Sequence, residues 1–367
     1  MTILGIAGTA KNTGKTTTLS ALLEEGRKRG MVPGLTGIGY DGEERDTVTS
    51  LPKPRLHVYP GMIATTSERC IHVSTARGEV IARTGFRTPL GEVLILKITR
   101  PGLLVVAGPN KTAELREVCG TMGEAGAGVI FVDGSLNRIA PFSIANAVVF
   151  ATGAARSTDG EVVRNEVAAI ERIFSFGVYE EKSTTPGGIV MDGPDTRVCL
   201  ARNSVHGREE IERAIAMRPP GFGRMDIPGV VTEQGVHALS ERVSALKLTG
   251  DLVFDDPIKI LLGGDPVPME RLLTACAAAG FRPRYRVCPS LKGITVNPTY
   301  PAFDGTVYTP AHVDARAYVN RVRSGIRTPV FDIVGEGGVA DLFDLALAGQ
   351  DFSQNNLTQE NILKNSS

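Results

Sequence analysis

The sequence predicts an α/β protein with a doubly wound, mostly parallel sheet, followed by a second α/β domain. Short apolar runs of strand length alternate with segments of helical periodicity along most of the chain, which is typical of parallel sheets covered by helices. A polar stretch that ends in Pro-Gly-Gly, residues 180–188, divides this alternation into two halves. The predicted units are a first domain at residues 1–180, a second α/β domain at residues 188–349 and a polar tail at residues 350–367.

Composition excludes several classes of function. Lysine plus arginine and aspartate plus glutamate each number 40 among 367 residues, so the formal net charge is zero and we expect no nucleic-acid partner. No apolar run has the length of a membrane span, and the first strand begins at once, so we expect no membrane contact, no signal peptide and a cytoplasmic location. The five cysteines and five histidines are scattered, which favours free thiols and gives no pattern of zinc ligands.

The first turn of the chain carries the strongest functional pattern. Residues 3–7 are apolar, and residues 8–16 read GTAKNTGKT, which fits the phosphate-binding pattern G-x-x-x-x-G-K-[ST]. A segment of helical periodicity follows. Glycines let the backbone N–H groups converge on a phosphate, and the helix N-terminus adds a partial positive charge. The residues predicted to bind nucleotide are Gly8, Thr9, Lys11, Asn12, Thr13, Gly14, Lys15, Thr16 and Thr17.

Two residues are predicted to act in phosphate chemistry, namely Lys15 and Asp133. Lys15 is expected to reach the outer phosphates, and Thr16 to offer its hydroxyl to Mg²⁺. Residues 127–133 form an apolar run that ends in Asp133. The carboxylate of such a residue emerges beside the loop and holds Mg²⁺ through water or through the loop threonine. The alternative for Asp133 is a structural Asp-Gly turn at the end of a buried strand.

An acidic loop after the second predicted strand supplies further metal candidates. Asp41 and Glu43 follow this strand, at the kind of place where ligand groups of α/β folds collect. Carboxylates are suitable Mg²⁺ ligands, so both residues join Thr16 and Asp133 as predicted ligands. A solvated turn built on Asp-Gly is the alternative for the loop.

The other segments predict the framework around these residues. Residues 56–104 are β-rich with Pro-Gly and Arg-Gly turns, which indicates a hairpin-like insertion or an antiparallel extension of the sheet. Residues 147–151 predict a buried strand, and the exit after it, beginning at Thr152, is a candidate lining of the base pocket.

The second half predicts strands at residues 258–262 and 329–334 and a helix at residues 310–323. Asp255, Asp256 and Asn297 stand at predicted strand ends. We interpret these three as turn residues, with a role in lining a cleft as the alternative.

The sequence favours ATP over GTP. Guanine-binding proteins use an Asn-Lys-x-Asp turn whose aspartate accepts hydrogen bonds from the base. Here Asn110 and Lys111 are followed by Thr112 and Ala113, so the aspartate is missing, and the turn precedes Asp133 rather than following it.

The loop resembles those of dethiobiotin synthetase and the cobyrinic acid diamide synthases, which begin with Gly-Thr and end with Gly-Lys-Thr. This resemblance implies the parallel-sheet SIMIBI class of phosphate-loop ATPases, which includes partition ATPases and nitrogenase iron protein. The class also implies a homodimer. Several of its dimeric members carry a further lysine five residues before the loop lysine, where this chain has Ala10, so a lysine that acts across the dimer is not supported.

A broader resemblance rests on four segments, GYDGEERD, TGFRTPLGEV, VDGSLNR and TVNP. In this order, over roughly residues 1–335, they resemble the phosphate-loop subunit of the lysine 5,6-aminomutase reactivase and its relatives. That resemblance implies an ATPase that restores an adenosylcobalamin-dependent enzyme together with a second ATPase subunit.

Three functions are consistent with these residues, and each requires ATP and Mg²⁺. The first is an ATP-driven conformational machine that acts on a partner enzyme. The second is an ATP-dependent ligase that phosphorylates a small carboxylate, as the dethiobiotin synthetase loop would imply. The third is a nucleotide-sensing module with negligible turnover. No residue in the sequence stands out as the group that would orient an attacking water.

Overall fold

The protein is described here by a computed structural model over residues 1–39, 56–135, 140–180 and 186–348. The predicted tail lies outside these ranges, as do residues 181–185 of the predicted boundary stretch. The fold is mixed α/β with a large, mostly parallel sheet, so the predicted α/β class and the mostly parallel sheet are confirmed. No helix in the described ranges combines the length and apolar character that crossing a bilayer requires.

The strands of the described residues fall into two main sheets and two separate antiparallel pairs. In chain order they are β1 (Thr2–Gly8), β2 (Pro33–Gly37), β3 (Leu56–Val58), β4 (Ile63–Ser67), β5 (Arg77–Thr88), β6 (Gly91–Arg100), β7 (Gly102–Leu104), β8 (Val129–Ser135), β9 (Ala147–Gly153), β10 (Ile189–Asp192), β11 (Arg197–Leu200), β12 (Arg224–Ile227), β13 (Gly250–Phe254), β14 (Phe281–Tyr285), β15 (Ser290–Asn297), β16 (Thr299–Phe303), β17 (Tyr308–His312) and β18 (Val330–Phe331).

The α-helices mostly connect parallel strands. In chain order they are α1 (Lys15–Lys28), α2 (Cys70–Val73), α3 (Thr112–Glu124), α4 (Gly160–Ser175), α5 (Arg208–Ala216), α6 (Glu233–Leu246), α7 (Pro257–Gly263), α8 (Pro266–Ala278), α9 (Ala315–Arg323) and α10 (Val339–Leu347). A 3-10 helix at Ala140–Ile144 precedes β9.

The larger sheet has nine strands in the order β18-β15-β9-β1-β8-β2-β4-β6-β5. The strands from β18 to β4 run parallel, whereas β6 and β5 are antiparallel additions at one edge. Within the β-rich segment 56–104, β5 and β6 therefore form an antiparallel extension of the sheet, which was one of the two predicted arrangements, while β4 runs parallel to β2 and β3 pairs with β7 in a separate two-stranded sheet.

Helices cover both faces of this sheet, as a doubly wound arrangement requires. Successive residues of β1 point to opposite faces, so Leu4 belongs to one apolar cluster and Ile3 to the other. Leu19 of α1 and Phe343 of α10 lie in the first cluster, and Leu115 of α3 lies in the second. All seven residues of β1 are buried, which explains their almost continuous apolar character.

The smaller sheet has five strands in the order β11-β10-β12-β13-β14. β12, β13 and β14 are parallel, and β10 is antiparallel to both of its neighbours. Its two connections to the larger sheet lie side by side, because the Tyr179 N–H donates to the Tyr285 carbonyl at 2.7 Å and the Tyr285 N–H donates to Gly177 at 3.0 Å. The smaller sheet is thus an insertion between α4 and β15.

After this insertion the chain returns to the larger sheet. β15 pairs with β9, and β18 pairs with β15. The second domain predicted at residues 188–349 therefore spans both sheets rather than one. Strand pairing across more than a hundred residues has no local sequence signal, which is why the predicted boundary did not anticipate it.

Two local predictions in the second half were wrong. The mostly apolar segment at residues 258–262 lies in helix α7, not in a strand, because Asp256 caps the N-terminus of the helix and Pro257 occupies its first turn. The helix predicted at residues 310–323 is strand β17 followed by α9, which begins only after the capping residue Asp314.

Candidate nucleotide-binding site

The predicted phosphate loop, residues 9–14, leaves the central strand of the larger sheet and enters α1. β1 lies between β8 and β9, and both run parallel to it. The loop follows β1 directly, so it emerges at the carboxyl ends of these strands. The Thr9 N–H donates to the Ala151 carbonyl, and its hydroxyl donates to the Thr152 hydroxyl, both at 2.9 Å. The Thr13 hydroxyl donates to the Ala10 carbonyl at 2.9 Å and closes the turn on itself. The loop is therefore ordered by its own contacts and by β9.

Both glycines of the motif are required by geometry. A Cβ at Gly8 would lie 3.0 Å from the Thr13 hydroxyl and 3.2 Å from the Ala10 carbonyl oxygen. Gly14 has φ 87°, a left-handed conformation that side chains strain, and a Cβ there would lie 3.1 Å from the Asn297 Cβ. Asn12 also has a positive φ of 62°, which asparagine tolerates better than most residues. These values explain why glycine stands at both ends of the loop.

The N-terminus of α1 has no side-chain cap. Gly14 occupies the N-cap position, and no side chain accepts a hydrogen bond there. The Thr18 N–H donates to the Gly14 carbonyl at 2.9 Å, so the N–H groups before it have no helical partner. Unpaired N–H groups and the helix dipole together favour an anion at this end.

Lys15 and Asp133 face one another beside the loop. The parallel pairing of β1 with β8 sets Asp133 opposite Ile6, and the Lys15 Nζ lies 2.8 Å from the Asp133 Oδ1. The side chains are 18% and 19% exposed. Although the distance is that of a contact ion pair, the buried Oδ1 has no hydrogen-bond partner among the described residues. The two charges are therefore paired without a well-directed hydrogen bond.

The other predicted binding residues line the same turn with different exposures. Thr9 and Thr13 are buried, Thr16 is half-buried in the first turn of α1, and Lys11, Asn12 and Thr17 are exposed. The metal candidates Asp41 and Glu43 lie outside the described residues. Within the described ranges no group of three or more His, Cys, Asp or Glu side chains is arranged to hold a metal.

The returning strand β15 contributes contacts that sequence reasoning did not assign to the site. The Asn297 Nδ2 donates to the Asn12 carbonyl at 3.1 Å, and the Thr295 and Thr18 hydroxyls are hydrogen-bonded at 2.8 Å. The sequence had indicated a strand end at Asn297, where a cleft-lining role was the alternative to a turn. Nothing local in the sequence signalled that this strand would lie near the phosphate loop.

A narrow cleft separates the loop and α1 from the ends of β15 and β18. Its lining includes Gly14, Thr17, Asn297 and Asp332. The buried Asp332 carboxylate accepts hydrogen bonds from the N–H groups of Val334, at 3.2 Å, and Gly335, at 2.9 Å. The strand predicted at residues 329–334 was too long, because β18 ends at Phe331. Asp332 therefore lies just beyond the strand, at the carboxyl edge of the sheet, where the sequence did not place a site residue.

Comparisons of the chain with protein-family models, with curated proteins and with solved structures give no match. Its function is therefore inferred from the geometry of this site and from the motif that forms it.

Proposed function

We propose that the protein is a phosphate-loop ATPase that binds Mg·ATP at residues 8–17 and hydrolyses it. The observation that carries this proposal is the coincidence of three features at one sheet edge. These are a glycine turn leaving a buried central strand, an uncapped helix N-terminus, and the Lys15–Asp133 pair beside both. Each feature has a structural explanation alone, but together they match the requirements of triphosphate binding.

The phosphates would lie on the free N–H groups of the turn and the first turn of α1. This position combines several backbone donors with the positive end of a helix dipole. Lys15 would then exchange its contact with Asp133 for the outer phosphates. Phosphate oxygens would offer Lys15 charged hydrogen bonds, which are strong, in place of its single contact with the Asp133 Oδ1 at 2.8 Å.

The residues present also fit Mg²⁺. Asp133 Oδ1 is a buried oxygen without a hydrogen-bond partner among the described residues, and the Thr16 hydroxyl lies in the adjoining helical turn. Mg²⁺ is usually held by one or two protein groups together with phosphates and water, so a cluster of three ligands is not required. When bound, the ion would neutralise phosphate charge. Asp41 and Glu43 remain proposed ligands outside the described residues.

The chemistry required of the chain is then mainly positioning. In phosphoryl transfer the protein orients the phosphates and stabilises the charge that spreads over their oxygens. Lys15 and the N–H groups of the loop would orient the phosphates and stabilise their charge. Asp133 would help to hold the Mg²⁺ that accompanies the triphosphate. ATP is preferred to GTP because the guanine-reading aspartate is replaced by Ala113.

We further propose that hydrolysis acts on a partner protein. A whole five-stranded sheet is inserted in the chain between β9 and β15, and both of these strands contact the loop. A change in the loop on hydrolysis could therefore be passed to the inserted sheet, as a conformational machine requires. The resemblance to the aminomutase reactivase adds the partner classes, namely an adenosylcobalamin-dependent enzyme and a second ATPase subunit.

A small-carboxylate ligase is less well supported. A cleft of about 470 Å³ meets the phosphate-loop cleft at Asp332, but its lining includes the acidic residues Asp332, Glu336 and Asp341. Of its two arginines, Arg323 already contacts Glu336 at 2.7 Å and Arg327 is largely exposed. These charges would disfavour an anionic substrate.

Competition binding and turnover test the proposal. A fluorescent ATP analogue should bind in the presence of Mg²⁺, and ATP should displace it at a lower concentration than GTP does. ATP hydrolysis should proceed slowly without any small acid. Absence of binding would refute the nucleotide site, equal displacement by GTP would refute adenine preference, and turnover that requires an added carboxylate would favour the ligase.

A further inference from the structure

Asn297 forms hydrogen bonds with the phosphate loop, with the residue that follows β9 and with its own turn. Its Nδ2 donates to the Asn12 carbonyl at 3.1 Å, its Oδ1 accepts from the Thr299 N–H at 3.1 Å, and its backbone carbonyl accepts from the Ala154 N–H at 2.8 Å. The residue is thus fixed by β9 and by its own turn, and its remaining donor points at the phosphate loop.

Close packing holds this arrangement. A Cβ on Gly153 would lie 2.0 Å from the Asn297 carbonyl oxygen, and one on Gly14 would lie 3.1 Å from the Asn297 Cβ. The Asn297 backbone therefore leaves no room for a Cβ at Gly153, and the positive φ and the short distance to Asn297 both favour glycine at position 14. Asn297 thus packs on the phosphate loop as well as on its own turn, although Gly14 lies 283 positions earlier in the sequence.

We propose that Asn297 is a positioning residue for phosphate binding, which rests on the proposed nucleotide site. The Asn12 carbonyl and the Thr13 N–H belong to one planar trans peptide, in which they point in opposite directions. By holding the carbonyl towards β15, Asn297 fixes the direction of the Thr13 N–H. This contact also restrains Asn12, whose φ of 62° is less populated than right-handed conformations.

The role is distinct from recognition of the base. A positioning residue acts on the loop amides, so its removal should weaken every ligand that carries the triphosphate group. A residue that reads the base would affect ATP but not inorganic triphosphate. The two roles are therefore separated by comparing these ligands on the same variant.

The experiment measures Mg·ATP and Mg·tripolyphosphate binding to the full chain by calorimetry, for wild type, Asn297→Ala and Asn297→Asp. The Asp variant keeps the acceptor for the Thr299 N–H but loses the donor to Asn12, so it tests the loop contact even if the Ala variant fails to fold. Asn165→Ala and Asn165→Asp on the exposed face of α4 are the matched controls, the second of which carries the same added charge.

We expect both Asn297 variants to lose about fivefold or more in affinity for both ligands, as the loss of one hydrogen bond would give. The controls should bind as wild type. A loss confined to ATP, or unchanged binding by folded Asn297 variants, would overturn the positioning role while leaving the nucleotide site intact. If wild type binds neither ligand, both the site and the positioning role fail.

Discussion

Two lysine–aspartate pairs lie at the carboxyl ends of parallel strands, one in each main sheet. Lys15 pairs with Asp133 in the larger sheet, and Lys259 pairs with Asp255 in the smaller one. Their exposures are nearly equal, at 18% and 19% against 23% and 15%. Burial alone therefore does not distinguish a site from a structural ion pair.

The difference lies in how the charges are satisfied. The Lys259 Nζ donates to the carboxylate of Asp255, which lies just before α7, and also to the Pro228 carbonyl at 2.6 Å. The Asp133 Oδ1, by contrast, has no hydrogen-bond partner among the described residues. The Lys259–Asp255 pair is fixed by two hydrogen bonds, whereas the Lys15–Asp133 pair is the one that we propose is exchanged for a ligand.

The helix ends beside the two pairs differ in the same way. The Asp256 side chain accepts from the Lys259 N–H at 3.1 Å and closes the N-terminus of α7. Gly14 offers no side chain to α1. The N-terminus of α7 is therefore capped by a side chain, whereas the N-terminus of α1 keeps the N–H groups on which we propose that the phosphates bind.

The largest expected effect is on nucleotide-dependent stability after Lys15→Ala. A ligand at a hundredfold excess over its Kd stabilises the folded state by about 2.7 kcal/mol, which for a domain of this size is roughly 5–10 °C. Saturating Mg·ATP should raise the melting temperature of wild type by this amount in a thermal-shift assay. Lys15→Ala should lose most of the shift, because it removes the charge that faces the outer phosphates.

Lys259→Ala is the matched control. It should lower the ligand-free melting temperature, since it removes two hydrogen bonds worth about 1 kcal/mol each, yet it should keep the full nucleotide shift. Equal shifts in wild type and Lys15→Ala would place the nucleotide elsewhere, and loss of the shift in Lys259→Ala would erase the distinction between the two pairs.

The next effect concerns metal dependence. Asp133→Asn should weaken Mg²⁺ activation of ATP binding or hydrolysis by about 10–100-fold, the usual consequence of removing a group that orders a metal site. The measurement is a Mg²⁺ titration at fixed ATP, and the fold should stay intact by circular dichroism. Asp255→Asn should leave the titration unchanged.

Unchanged Mg²⁺ dependence in Asp133→Asn would remove this residue from the site. The same titration on Asp41→Asn and Glu43→Gln would then identify which of the two acidic-loop residues supplies the ligand.

The smallest expected effect is a pH dependence of stability that arises from Asp256, the residue that caps the N-terminus of α7. Burial raises the pKa of the Asp256 carboxyl to about 6, against the opposing influence of Lys259 and of backbone N–H groups. The folded protein therefore holds this proton more tightly than the unfolded chain, so the contribution of Asp256 to stability falls as pH rises from about 4 to about 6. An asparagine in place of this aspartate would cap the helix comparably without ionising.

Asp256→Asn should consequently gain stability relative to wild type between about pH 4.5 and about pH 7.5, on the order of 1 kcal/mol. Urea unfolding at the two pH values measures the difference, and saturating nucleotide should leave it unchanged. A relative stability that is the same at both pH values would show that Asp256 titrates at its ordinary pKa.

The site was predictable where its signal is local. Gly8, Gly14 and Lys15 form a contiguous pattern, and the apolar run before Asp133 indicated a buried strand. The expectation that the Asp133 carboxylate emerges beside the loop follows from the parallel sheet, because both lie at its carboxyl edge. The contact of Asp133 with Lys15 was not predicted, and it required the tertiary structure.

The parts that could not be predicted depend on contacts between distant segments. Asn297 and Thr295 reach the loop because β15 pairs with β9 across the inserted sheet, and no local pattern encodes that pairing. The error at α7 has another origin, since a short, mostly apolar segment such as residues 258–262 suits strand and helix equally. There the Asp256-Pro257 pair was a usable N-terminal signal.

The insertion of the smaller sheet also orders events during synthesis. The loop residue Asn12 leaves the ribosome 285 positions before Asn297, the partner of its carbonyl. The smaller sheet is built within residues 189–285 and can complete its pairing while β15 is still unmade, because domains fold largely as units during translation. The nascent chain would therefore hold a loop without its Asn297 contact and an unpaired edge on β9 until β15 emerges, and the nucleotide binding that we propose would follow the completion of the larger sheet.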